Sequence, residues 1–186
     1  YEIAIPSYKR SDIIKTHTLN VLLNNGINSN LITVFVANKE EYNEYKKSIP
    51  NIKIVIGKKG IKNQRNFITK YYPNNQEIVS LDDDIQSIEK LNDNILVPIK
   101  DLNKFFKSAF KISKDNGSRI WGVYPVYNTF FMKDTITHDL RFIVGTIFGK
   151  VNDHSIKLTI NEKDDFEQTI KYYLKDKAVT RFNNIT

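Results

Sequence analysis

The sequence predicts an α/β fold in which a central mixed, mostly parallel sheet is flanked by helices. Three observations carry this expectation. Over residues 1–90 short apolar runs alternate with amphipathic or charged segments. The apolar runs are continuous rather than alternating, as expected of strands buried on both faces. The most unusual polar residues follow those runs directly, where the loops of a parallel sheet gather around a ligand.

Each element has its own signal. Residues 2–6 (EIAIP) form a short apolar strand. Residues 12–25 carry Ile13, Leu19, Leu22 and Leu23 at helical spacing, with Gly26 as the stop. Residues 31–37 (LITVFVA) are a β-branched buried strand, and 40–48 a charged surface helix. Residues 52–56 (IKIVI) are a third strand, followed by a turn over 57–60. Residues 61–72 read as a helix ended by Pro73, and 77–81 (EIVSL) as a fourth strand running into three aspartates. In the second half, 101–114 is amphipathic, with Leu102, Phe105, Phe106 and Phe110 on one face. Residues 119–126 and 140–150 are expected as strands joined by the aromatic stretch 127–132, and 163–174 as a last helix. No repeat, low-complexity tract or linker divides the chain, so 1–186 is expected to be one domain.

Composition narrows the function classes. The chain lacks cysteine, which excludes disulfides and thiolate metal sites and leaves carboxylates and three histidines as ligands. No apolar run of about 18 residues and no basic-then-apolar leader is present. The expectation is a protein without a membrane span, placed in the cytoplasm, or in the host cytoplasm if viral. A net charge of +7 suggests an anionic partner. Of the 28 basic residues only five are arginines, however, and a Lys/Asn/Ile bias accompanies AT-rich coding whatever the function. Arginine is the side chain that grips phosphate bidentately, so charge alone does not argue for nucleic acid.

Chemistry concentrates at Asp82-Asp83-Asp84. Adjacent carboxylates repel, and one is driven to take up a proton unless a cation shares the space. Mg²⁺ or Mn²⁺ relieves that conflict by binding carboxylate and phosphate oxygens together. In an extended stretch Asp82 and Asp84 face the same way and Asp83 the other, which nominates Asp82 and Asp84 as metal ligands. Arg10, after Ile5-Pro6-Ser7-Tyr8, is placed to meet a phosphate or a base. Gly60-Ile61-Lys62-Asn63-Gln64-Arg65-Asn66 opens a helix whose free N–H groups favour anions, with Arg65 and Asn66 placed toward a nucleotide. Trp121, Tyr124, Tyr127, Phe130 and Phe131 offer either core or a stacking wall for a sugar or base. His138 and His154 lie in polar loops, exposed or available as a third metal ligand. Asp164-Asp165 at the start of the last helix provides either a cap or a general base.

IPSYKR, GIKNQRN and VSLDDDI, in this order, resemble the nucleotide-binding half of GT-A glycosyltransferases, whose fold is Rossmann-related. The segments 121–132 (WGVYPVYNTFFM), 141–145 (RFIVG), 163–167 (KDDFE) and 181–183 (RFN) resemble the TET/JBP-associated glycosyltransferases, which act on hydroxymethylated pyrimidines in DNA. The resemblance implies a nucleotide-sugar-binding half over 1–90 and an acceptor-binding half over 91–186. It implies that Pro6, Ser7, Tyr8, Arg10, Gln64, Arg65, Asn66, Asp82 and Asp83 hold the donor, with Mn²⁺ or Mg²⁺ on Asp82 and Asp84. It further implies a UDP-sugar donor such as UDP-glucose, a hydroxymethylated DNA base as acceptor, a viral or phage setting, and an inverting transfer with Asp165 as base and Asp164 in reserve. Rival expectations are a glycan, lipid or protein acceptor, a nucleotidyltransferase, and a non-enzymatic nucleic-acid-binding module. The nucleotidyltransferase usually carries a Gly-rich loop after the first strand, which IPSYKR lacks, and the binding module leaves three aspartates behind a buried strand without a purpose.

Overall fold

The computed structural model describes residues 1–186. The chain runs β1 (Glu2–Pro6), α1 (Ser11–Thr16), α2 (Thr18–Asn24), β2 (Ile32–Val36), α3 (Lys39–Ser48), β3 (Lys53–Ile56), α4 (Ile61–Tyr71), β4 (Glu77–Leu81), β5 (Glu89–Asn92) and β6 (Ile95–Pro98). It continues α5 (Leu102–Asp115), β7 (Ile120–Val123), β8 (Ile136–Thr137), β9 (Ile147–Val151), α6 (Asp164–Asp176) and β10 (Thr180–Phe182). Eight strands form one sheet in the order β3-β2-β1-β4-β9-β7-β10-β8, and β5-β6 is a separate hairpin. The four strands of the first half are mutually parallel. β9 enters antiparallel between β4 and β7, so strands from both halves share one hydrogen-bonded sheet.

Strand side chains alternate between two faces, and each face has its own helices. Ile3, Ile5, Val34, Val79, Leu81 and Trp121 pack with Leu19 and Leu22 of α2, Tyr45 of α3 and Phe106 of α5. On the opposite face, Ala4, Phe35 and Ile78 meet Ile68 and Tyr72, while Ile120 and Phe148 meet Tyr172 of α6. The result is a three-layer sandwich with α4 and α6 side by side on one face. Trp121 is fully buried, with Phe105, Phe110 and Phe182 edge-on at ring-centroid distances of 5.7, 5.6 and 6.1 Å. It is therefore a core residue and leaves the stacking wall. Gly149 makes room for it, since a Cβ there would lie 2.2 Å from the indole.

Several sequence expectations shift. The helix expected over 12–25 is two helices broken at His17 (φ −109°, ψ −98°), with Ile14 buried while Ile13 and Leu23 are exposed. The strand expected over 119–126 ends at Val123, before Pro125, which has no N–H for a ladder. The strand expected over 140–150 begins only at Ile147. The hairpin β5-β6 turns at Asp93-Asn94, both at positive φ (47° and 67°), as a tight hairpin turn requires. No helix is long and apolar enough to cross a membrane.

Candidate active site

A cleft of about 550 Å³ opens where β1 and β4 end and α4 begins. Pro6, Ser7, Tyr8, Arg10, Gln64, Arg65, Asp82, Asp83 and Asp84 all line it, together with Lys58, Lys59, Gly60 and Ile61. Asn66 does not. Its amide accepts from Leu158 N and donates to Leu158 O, both at 2.8 Å, which stitches α4 to the segment before α6. Asn66 is thus a structural tie, one residue past the part of α4 that faces the cleft.

The aspartates occupy a turn, so the alternation expected of an extended stretch does not hold. Arg10 Nη1 lies 3.0 Å from Asp83 Oδ1 and 2.9 Å from Asp84 Oδ2, clasping both neighbours. Those bonds, first to Asp83 and then to Asp84, hold the guanidinium pKa above its usual value. Asp83 is buried and also accepts from Ser7 Oγ at 2.5 Å. Ser7 Oγ in turn lies 2.6 Å from Tyr45 Oη, which accepts from Arg10 N at 2.9 Å. Asp83 therefore ties the loop after β1 to the loop after β4. Thr18, at the break between α1 and α2, fixes the turn from beneath. Its hydroxyl donates to Asp82 O at 2.7 Å and accepts from Ile85 N at 2.9 Å.

The Asp82 carboxylate lies in the field of Arg65 of α4 and of Asp84, Asp83 and Asp164. Burial pushes its pKa up to about 6, opposed by Arg65 and reinforced by Asp84, Asp83 and Asp164. Arg65, itself buried, lies 2.9 Å from Asp164 Oδ2, donates from Nη2 to Gly145 O at 3.3 Å and sits 5.4 Å from the Phe148 ring centre. Its Nε has no acceptor in the protein, whereas Nη1 is the nitrogen beside the Asp164 carboxylate. Buried guanidinium N–H groups facing a cleft are normally satisfied, so ligand oxygens are their natural partners. Gly145 must lack a side chain, because a Cβ would fall 2.7 Å from Arg65 Nη2.

The donor set fits a hard divalent cation only in company. Asp82, Asp83, Asp84 and Asp164 oppose two guanidiniums, leaving an excess of two negative charges when all are ionised. Every candidate ligand is a carboxylate oxygen, the preference of Mg²⁺ and Mn²⁺. Yet no three acidic or imidazole side chains converge to hold a metal unaided. Such a cation needs phosphate oxygens to complete its shell, which is how Mg²⁺ is usually held beside nucleotides. The opposite wall supplies the complement for phosphate: Lys58, Lys59 and the N-terminus of α4 behind Gly60. Gln64 holds that wall by accepting from Lys58 N at 2.7 Å over Gly57, where a Cβ would strike it.

A second cleft of about 500 Å³ shares Asp84 with the first and runs past Gln86, Tyr124, Tyr127, Val144 and Thr146. Asp164 and Asp165 line neither cleft, and each reaches one of them through a single partner. Asp164 is buried against Arg65 of the first cleft. Asp165 Oδ2 accepts from Gly145 N at 3.2 Å, between Val144 and Thr146 of the second. The Gly145 backbone is thus held at its N–H by Asp165 and at its C=O, in the next peptide group, by Arg65. Phe130 and Phe131 are exposed and meet edge-on, lining neither cleft, and Tyr127 donates to Glu89 at 2.6 Å. His138 lies 3.1 Å from Thr180 Oγ1 and His154 2.9 Å from Tyr72 O, so neither joins the aspartates. Thr18 and Tyr45 were not singled out in the sequence, where nothing marks them apart from any other threonine or tyrosine, and Gly145 entered only as the end of the segment 141–145, with no role of its own.

The three-layer sandwich, with acids following β4 and the antiparallel β9 beside it, is the GT-A fold. By sequence no protein-family model and no curated protein matches the chain. Among solved structures it is similar to residues 1–349 of S. aureus TarS, with a TM-score of 0.65 and 14% identity over 98% of this chain and 58% of that one. The same TarS fragment has been solved with UDP-GlcNAc. It is also similar to the mannosyltransferase PcManGT of Pyrobaculum calidifontis, solved with GDP-Man and Mn²⁺, with a TM-score of 0.63 and 12% identity over 96% of this chain and 54% of that one. A third similar structure, 4-diphosphocytidyl-2C-methyl-D-erythritol synthase, has a TM-score of 0.55 and 11% identity over 98% of this chain and 90% of that one. The chain spans little more than half the length of the first two.

Proposed function

We propose that this chain is a glycosyltransferase that moves a hexose from a nucleoside-diphosphate sugar to a hydroxyl acceptor with Mn²⁺ or Mg²⁺ bound. The observation that carries the reading is the first cleft, with three carboxylates and two guanidiniums on one side and two lysines and a helix N-terminus on the other. That pattern matches a diphosphate and a shared cation. Asp82 and Asp84 hold the cation, which neutralises charge on the leaving diphosphate when bound. Tyr8 and Arg10 flank the nucleoside, and Arg65 Nε meets a donor oxygen.

The acceptor lies in the second cleft, with Asp165 behind its wall. The acceptor oxygen bonds to the anomeric carbon as the bond from that carbon to the diphosphate oxygen breaks. The bond's electron pair leaves with the nucleoside diphosphate, and the hydroxyl proton passes to the Asp165 carboxylate. A single displacement of this kind inverts the anomeric centre. UDP-glucose as donor and a hydroxymethylated pyrimidine in DNA as acceptor are the finer reading, suggested by the segments 121–132 and 181–183; a glycan, lipid or protein acceptor uses the same chemistry.

The match over 90% of the synthase favours a second reading, a nucleotidyltransferase on the same fold. Against it stands the loop after β1, Ser7–Arg10, which has no glycine with which to wrap a triphosphate. One experiment separates the two. The protein is incubated with Mn²⁺ and a panel of UDP- and GDP-sugars, or with nucleoside triphosphates, and the released product is identified. Nucleoside diphosphate from the sugar panel is expected and should vanish with EDTA. Pyrophosphate from triphosphates alone would overturn the glycosyltransferase reading.

A further inference from the structure

Behind the donor cleft lies a smaller one of about 330 Å³, between α4 and the segment that follows β9. Lys58, Lys70, Lys157 and His154 surround it over a floor of Phe67 and Ile156, and no carboxylate lines it. The three lysines are exposed, and none has an acidic partner within ion-pair distance. A fourth lysine lies under the floor. Lys150 is buried, and its Nζ donates to Thr69 Oγ1 at 2.8 Å, with Thr69 itself on the cleft wall. Burial, and then repulsion from Arg65, pull the Lys150 pKa down to about 7, and it too has no counter-ion. The walls are preset. Asn152 Nδ2 donates to Thr69 O, Tyr72 O and Pro73 O, and Asn66 is bonded in both directions to Leu158. His154 Nε2 donates to Tyr72 O, so the imidazole shapes the wall and offers the cleft no further donor in its neutral form.

We propose that this cleft is a second anion site, distinct from the donor cleft, that takes a phosphate group, free or esterified. Converging ammoniums with no acid among them repel one another, and a bound anion converts that repulsion into attraction. A rigid wall means little ordering is needed on binding. Phosphate suits the site better than carboxylate, because three separated ammoniums match an anion with oxygens on several sides. The proposal is independent of the sugar-transfer reading, since Lys70, Lys157 and His154 do not touch the donor cleft.

The test uses two probes at low salt with EDTA present: inorganic phosphate by calorimetry and a fluorescein-labelled 12-mer oligothymidylate by polarisation. The double variant Lys70→Gln/Lys157→Gln alters this cleft alone, and Lys59→Gln alters the donor cleft alone. All these lysines are exposed, and circular dichroism confirms the folds. The double variant is expected to bind at least one probe about 10-fold more weakly, with Lys59→Gln within about 2-fold of wild type, since each 10-fold is 1.4 kcal/mol. Binding of phosphate alone assigns a free anion. Binding of the oligonucleotide assigns a phosphodiester, and its salt slope should then drop by about 0.7 per lysine removed. Neither probe binding, equal binding by wild type and the double variant, or an equal loss in Lys59→Gln would overturn the proposal.

Discussion

The two acids at the start of α6 should separate cleanly when each is replaced by asparagine. Asp164 and Arg65 form a buried pair, with side chains 12% and 7% exposed. Asp164→Asn leaves the guanidinium buried beside an amide instead of a carboxylate. Removing one partner of a buried pair costs about 3–5 kcal/mol. In a protein of this size each kcal/mol moves the midpoint by about 2–4 °C, so Tm should fall by about 6–20 °C. Asp165 is half-buried, and its bond from Gly145 N can be kept by the oxygen of asparagine. Asp165→Asn should therefore cost about 1 kcal/mol or less, as for a swap between good capping residues. If Asp165 takes the acceptor proton, transfer falls about 10²–10⁴-fold while the nucleotide still binds. Thermal unfolding and nucleoside-diphosphate release on the same preparations decide the matter, with turnover measured well below both midpoints. An Asp164→Asn midpoint within about 2 °C of wild type would refute the buried pair. Near-normal turnover in Asp165→Asn would remove the base from that residue, and a folded but inactive Asp164→Asn would move it one position.

Other outcomes follow from the same geometry. The Asp82 carboxyl, raised to about 6 from an unfolded value near 3.9, binds its proton more tightly when folded. Its contribution is therefore greatest below about pH 4 and is lost as pH rises to about 6, by up to about 3 kcal/mol. Urea unfolding of Asp82→Asn should show a variant that gains on wild type over that window without metal; parallel pH profiles would refute the burial of Asp82. Arg10→Ala frees Asp83 and Asp84 and should tighten Mn²⁺ binding in the absence of nucleotide, read by electron paramagnetic resonance, whereas unchanged affinity would show that the clasp does not compete with the cation. Gly149→Ala drives a methyl group into the Trp121 ring and should lower Tm by several degrees, from about 1–3 kcal/mol of overpacking; a wild-type melt would contradict that packing.

What the sequence revealed and what it hid divide along one physical line. β1, β2 and β4 were legible because continuous apolar runs declare burial on both faces within five residues each. The acids were legible because three carboxylates directly after such a run need an explanation wherever the rest of the chain goes. The direction of each carboxylate was not legible, since alternation assumes an extended backbone and these residues turn. That turn is held by Thr18, 64 residues earlier in the chain, and no local pattern announces that a helix will break at His17 to present one hydroxyl. Arg65 shows the same limit more sharply. Its place in the first turns of α4 suggested a nucleotide contact on the helix surface. Its burial follows instead from the Gly145 carbonyl, 80 residues away, and from the carboxylate of Asp164. Those partners change what Arg65 can do. A guanidinium on the surface binds phosphate and nothing else, so its loss raises KM alone. A guanidinium that also holds the Gly145 backbone, whose N–H is bonded to Asp165, connects the donor floor to the acid expected to take the proton. Arg65→Lys keeps the charge but not the planar fork that spans both contacts. If the connection matters, that variant should lose kcat as well as donor affinity, and a rise in KM with kcat intact would show that Arg65 serves the donor alone.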